Sequence, residues 1–175
     1  MTSNEPHSRG LLQCHTPLSF RTLELNIQWR IVSEQAVGGE GLAIWLSTAP
    51  ITAGEFFGGS SFWDGLALVA DSYDNNNDGN NPALGLVINN GKRAMPNGTD
   101  VWQLSHVRCP FDFRSAPIAS VKILMRQNTV IIYTDDTAGS FGVCGQVGYQ
   151  LPPRYFLAVT AATGSTDAGQ STPLI

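Results

Sequence analysis

Twelve consecutive residues, Asp71 to Pro82, read DSYDNNNDGNNP, and eight of them are Asp or Asn. Short oxygen-bearing side chains at this density suit two purposes. They tolerate turn and left-handed backbone, so a solvated loop takes them readily. They also supply what a hard cation requires, since calcium gathers oxygens at about 2.3–2.6 Å from carboxylates, side-chain amides and backbone carbonyls. Asp74, Asn76, Asp78 and Gly79 mimic the first, third, fifth and sixth positions of an EF-hand loop. The twelfth position of that loop needs a bidentate Glu; here it is Gly85, so the EF-hand reading fails. A calcium set spread over this loop and completed from elsewhere in the chain stays open beside the solvated loop.

Other chemistries find less support. A glycoside hydrolase on a β-sandwich needs two carboxylates flanking one cleft, and no strand here carries a pair of Glu at such spacing. There is no G-x-S-x-G turn and no Ser-His-Asp order in strand context. An enzyme is not expected. His7, His15 and His106 are unclustered. Cys14, Cys109 and Cys144 fit no zinc spacing. In an oxidising compartment they read as one bridge and a spare thiol, with Cys109 and Cys144 placed to staple the outer ends of the hairpin between them. In a reducing compartment they read as three thiols, and the residues weigh the two equally.

The elements that must position the acidic stretch are strands. Leu23, Leu25, Ile27, Trp29 and Ile31 alternate with polar residues, the period of a half-buried antiparallel strand. GLAIWL (41–46), GLALVA (65–70) and ALGLVI (83–88) are continuous apolar runs that suit the middle of a sandwich. Val121–Arg126 and Thr129–Tyr133, joined by Gln127 and Asn128, read as a tight hairpin, and Phe156–Ala161 as a further strand. No stretch shows helical spacing. Glycine and proline fall mostly between the runs, so the class is an all-β antiparallel sandwich in one domain, 1–175.

Composition agrees. Apolar residues make up 42% of the chain, enough for a core without metal or disulfide staples. The net charge is −4 and the basic residues are scattered, which argues against nucleic acid as a partner. No apolar run is long enough to cross a membrane, and MTSNEPHSRG lacks the apolar stretch of a signal peptide.

Seven segments occur in an order that resembles the L-type (legume-type) lectins, nearest to the membrane-anchored, mannose-binding cargo lectins of the early secretory pathway. They are GEGLAIW (39–45), FWDGLALVADSYDNNNDGNNPAL (62–84), NNG (89–91), CPFDFR (109–114), QNTVIIY (127–133), Cys144 and AATG (161–164). The resemblance implies a concanavalin-like jelly roll that binds high-mannose N-glycans of glycoproteins through calcium, for cargo sorting between ER and Golgi. It implies calcium ligands at Asp71, Tyr73 (through its carbonyl), Asn75 and Asp100, and a second site at Asp74, Asn76, Asn80 and Asn81. Val69 stands where plant relatives carry a transition-metal Glu, which implies calcium alone. Sugar would be met by Glu40, Asn75, Asn97, Gly164, Ser165 and Thr166, and Cys109 would pair with Cys144.

Three of these positions depart from the family pattern. Glu40 replaces an Asp, Asn97 replaces a His, and Ser165 replaces a second Gly. Asn97-Gly98-Thr99 is also an N-glycosylation acceptor. The departures keep a second reading open: a sandwich that has lost sugar binding and serves as a protein-interaction module. The family domain is longer than this chain, so terminal strands are expected to be missing before SRGLLQ and after the Gly164 loop, where QSTPLI remains. Any membrane anchor would lie in segments outside this chain, and oligomers would supply avidity.

Overall fold

The computed structural model describes residues 1–3, 5–32, 39–96, 98–126, 128–135, 139–164 and 170–174. Strands follow in chain order as β1 (Arg9–Gln13), β2 (Leu23–Val32), β3 (Gly41–Ser47), β4 (Ala53–Phe56), β5 (Asp64–Asp71) and β6 (Ala83–Asn90). After a single helical turn, α1 (Val101–Leu104), come β7 (Val107–Pro110), β8 (Ala119–Arg126), β9 (Thr129–Asp135), β10 (Phe141–Gly148), β11 (Phe156–Ala162) and β12 (Gln170–Leu174). They form two antiparallel sheets, ordered β1-β11-β3-β5-β6-β7 and β10-β9-β8-β2-β12.

The sheets close on one apolar core. Leu42, Ile44, Leu66, Leu68, Leu84 and Leu86 from the six-stranded sheet meet Trp29, Val121, Ile123, Met125, Val130 and Ile132 from the other. The opposite face of the six-stranded sheet is not left to water. Ala43, Trp45, Ala67, Val69 and Val87 pack there under Ile51, Phe56, Phe57, Trp63, Met95 and Val101. β3 and β5 are therefore buried on both faces, which is why they read as continuous apolar runs. Within this outer layer Trp45 meets Trp63 edge-on at 4.9 Å. Its indole N–H donates to Thr160 Oγ1 at 2.8 Å, and the Thr160 hydroxyl donates to the Phe57 carbonyl at 2.7 Å. A buried indole nitrogen thus keeps a partner, and the loop carrying Phe56 and Phe57 is tied down to the sheet.

Every strand expected from periodicity is present within a few residues of its expected ends. The four edge strands, β1, β7, β10 and β12, were not read as strands. An edge strand has one neighbour and is half exposed, so its sequence need not alternate; β10 (FGVCGQVG) carries three glycines and β12 a proline. Two expectations are corrected. QSTPL is strand β12, paired with β2 from Gln170↔Val32 to Leu174↔Gln28. Helix is present as α1, one turn capped by Asp100, too short to show a period.

Cys109 and Cys144 are disulfide-bonded, with Cα atoms 5.7 Å apart, and Cys14 is a free, half-buried thiol. The bond does not staple the ends of a hairpin. It joins β7 to β10, the edges of the two different sheets, and so closes one side of the sandwich.

Candidate functional site

Four neighbouring strands of the six-stranded sheet bring their ends to one place. Register sets Gly41 opposite both Ala162 and Asp71, and Asp71 opposite Ala83. The loops before β3, after β5, before β6 and after β11 therefore emerge side by side. Gly41 has φ +137°, and a side chain there would strike the Ala70 carbonyl, so only glycine lets β3 start this close to β5. The Ser72 amide donates to the Glu40 carbonyl at 3.0 Å and its hydroxyl to the Gly39 carbonyl, which fixes Glu40 beside Asp71. Gly164 packs against Gly39 on the other side, where an added Cβ on Gly39 would come within 3.0 Å of the Gly164 nitrogen.

Asp71 is buried, at 1% exposure. Its Oδ1 accepts from the Tyr73 amide and its Oδ2 from the Val101 amide, each at 3.2 Å. Burial nevertheless pushes its carboxyl up to about 7; those two amides pull against the rise and the negative charge of Asp100 adds to it. Asp100, also buried, uses Oδ1 to cap α1 through the Trp102 amide at 2.8 Å. Its carboxyl is likewise raised, by burial first, with the Trp102 amide opposing and Asp78 and Asp74 adding to the rise.

The acidic loop is knitted by its own side chains. Asp74 accepts from the amides of Asp78 at 3.2 Å and Gly79 at 2.8 Å, and the Asn76 amide group donates to Asp78 at 2.8 Å. The Asn81 side chain donates to the Tyr73 carbonyl. Carboxylate oxygens of Asp74, Asp78 and Asp100 lie within 4.8 Å of one another. Asp100 Oδ2, and on the same loop Asn80 Oδ1 and Asn81 Oδ1, are buried without a hydrogen-bond partner. Buried oxygens are rarely left so. Clustered carboxylates and unpartnered acceptor oxygens in one loop region suit a hard cation.

Beside this cluster is an open recess whose walls include Glu40, Glu55, Phe56, Asp71, Asn75 and Gly98. Asn75 is exposed, and its backbone amide is among the groups that pull the Asp100 carboxyl down. Burial raises the Glu40 carboxyl; Arg9, which pairs with Glu55 at 2.7 Å, opposes the rise and Glu55 adds to it. The structure thus gathers Glu40, Asp71, Tyr73, Asn75, Asp100 and Gly164 at one end, with Asp74, Asn76, Asn80 and Asn81 on the adjoining loop. Asn97, Ser165 and Thr166 lie outside the described residues. Asp78 was not named for either calcium site, although its alternation with Asp74 and Asn76 was visible; the structure puts it in the carboxylate cluster. Glu55 and Arg9 were not expected at all, because nothing in β1 or β4 ties them to the loop in sequence.

The legume-like lectin family model matches residues 1–172. The chain belongs to the legume-like lectin family. Human ERGIC-53 is 29% identical over 163 residues, 89% of this chain and 32% of that protein. Human vesicular integral-membrane protein VIP36 is 23% identical over 171 residues, 94% of this chain and 48% of that one. This lectin chain thus spans between a third and a half of the relatives it matches. Among solved structures, the VIP36 exoplasmic/lumenal domain in its Ca2+/Man-bound form superposes with a TM-score of 0.88 at 20% identity, covering 97% of this chain and 72% of that one. The legume lectin-like domain of Entamoeba histolytica gives 0.77 at 17% identity, covering 98% and 77%. At these identities the likeness is one of fold.

Proposed function

We propose that this domain binds high-mannose-type N-glycans of glycoproteins in a calcium-dependent manner, without chemistry on the sugar, and serves cargo sorting in the early secretory pathway. The observation that carries the reading is the cluster of the Asp74, Asp78 and Asp100 carboxylates together with the unpartnered buried oxygens of Asp100, Asn80 and Asn81. VIP36, a structural neighbour, has been solved with Ca2+ and mannose, and metal-free. Calcium would be held by Asp71, Tyr73, Asn75 and Asp100, with Asp74, Asp78, Asn76, Asn80 and Asn81 completing a second position. When bound, it fixes the loop's side chains as rigid hydrogen-bonding groups.

The chain's own residues then do the recognition. Asn75 presents a side-chain amide at the recess mouth, the Gly164 loop brings backbone amides, and Glu40 accepts from sugar hydroxyls. Phe56 and Phe57 form the apolar back of the recess. Hydroxyl recognition of this kind depends on pre-set polar groups over an apolar wall. Glu55, the second carboxylate of the recess, pairs with Arg9.

A glycan array probed with calcium and with chelator tests the reading. Mannose-type glycans are expected to bind only with calcium. Asn75→Ala should abolish binding while leaving the fold, and Glu40→Asp should tighten it by withdrawing a carboxylate one methylene too long. A wild type that binds no glycan at saturating calcium, with Glu40→Asp no better, would leave the interaction-module reading in its place.

A further inference from the structure

The far end of the sandwich carries a cavity that the lectin reading does not use. β5 runs from Asp71 at the acidic end to Asp64 at the other, about 23 Å away at strand rise. Leu18 bridges Tyr155 just before β11, at the end of that strand away from Ala162, and β2 starts five residues later, so β2 begins at the far end. There the residues leading into β2, the β8–β9 hairpin and the segment after β10 line an open cavity of about 260 Å³. The Tyr149 amide donates to the Asn128 carbonyl at 2.9 Å, which ties Asn128, at the entry to β9, to the β10 exit. Met125 and Leu151 supply apolar lining.

Two arginines, Arg21 and Arg126, line this cavity in a chain of net charge −4. Neither has an ion-pair partner among the described residues; the ion pair found there is Arg9 with Glu55. Arg presents a planar fork of donors that matches carboxylate and phosphate. The remaining polar lining, Asn128 and Tyr149 among it, is neutral and suited to hydroxyls. Burial holds the Tyr149 phenol above its ordinary range, with Asp64 adding to the rise, so it stays a hydrogen-bond donor.

We propose that this cavity is a second ligand site, independent of calcium, for a small polyhydroxylated oxyanion: a sugar carrying a phosphate or carboxylate group, its anion on Arg21 and Arg126 and its hydroxyls on the neutral wall. The site is separate from the glycan recess, so its failure and that of the lectin reading are distinguishable.

The test is calorimetric titration of the full chain in chelator with glucose 6-phosphate, glucuronate, inorganic phosphate and glucose, together with amide NMR. Saturable binding of glucose 6-phosphate or glucuronate is expected, the arm that binds identifying phosphate or carboxylate as the anion. The Asn128 and Tyr149 amides should shift while Asp74 and Asn75 stay fixed. The double variant Arg21→Gln/Arg126→Gln should weaken binding at least about tenfold, and added salt should weaken it too. Several results would overturn the proposal: no saturation by either sugar anion, glucose binding as well as its phosphate, inorganic phosphate binding as tightly as glucose 6-phosphate, or full affinity in the double variant.

Discussion

Asp71 sits where burial and an anionic neighbour oppose its charge, and this gives the residue a testable signature. Its carboxyl titrates at about 7 when folded, against an ordinary unfolded value of about 3.9. The folded state therefore holds a proton that the unfolded state releases between about pH 4 and pH 7. Stability of the chelated protein should fall as pH rises through that window and level off above it. Asp100 and Glu40, also raised, act in the same direction. Urea melts in chelator at pH 5 and pH 8 check this, and Asp71→Asn should keep only the shallower slope those two groups leave. A cation on the same carboxylate competes with that proton, so calcium affinity should rise from pH 6 to pH 8 in wild type.

At the scale of elements, β7 and β10 are the informative pair. Each is an edge strand, and each holds to its own sheet on one side only. The disulfide between them closes a loop spanning 35 residues in sequence, and the chain-entropy model gives such a bond about 3–4 kcal/mol. Replacing both cysteines, Cys109→Ala with Cys144→Ala, should lower the melting temperature by roughly 7–15 °C at this chain length. Hydrogen exchange should quicken in β10 before it does in β8 or β9, because β10 loses its tie across the sandwich while they keep two neighbours. Equal quickening in all three would show that the bond stabilises the domain as a whole and does not pin that edge.

For the whole molecule, the proposed calcium sites and the fold are one linked equilibrium. At a hundredfold excess over its dissociation constant, calcium adds about 2.7 kcal/mol, which at this size raises the melting temperature by roughly 5–10 °C. Thermal melts with calcium and with chelator check it, and Asp100→Ala should remove the difference. That variant also loses the cap of α1, so its chelated melt supplies the baseline. A small, open recess gains little beyond the cost of association. Binding to a single soluble mannoside should therefore be weak, and binding to a densely mannosylated surface by a tethered or oligomeric form should exceed it by about 100-fold or more.

The central strands were legible because burial leaves a mark on sequence. Leu23–Ile31 alternates since one of its faces meets the core, and GLAIWL and GLALVA run apolar since both of theirs are covered. The acidic stretch was legible as a loop, because eight of its twelve residues are Asp or Asn, which tolerate turn backbone. Edge strands leave no such mark; β1, β7, β10 and β12 exist through backbone pairing, which almost any side chain permits. Likewise no pattern along the chain could tie Arg9 and Glu55 to Glu40, or Asp78 to Asp100, or Arg21 to Arg126. Those neighbours come from strands that pair across long separations, and only the register of two packed sheets, fixed by which faces must be buried, brings them together.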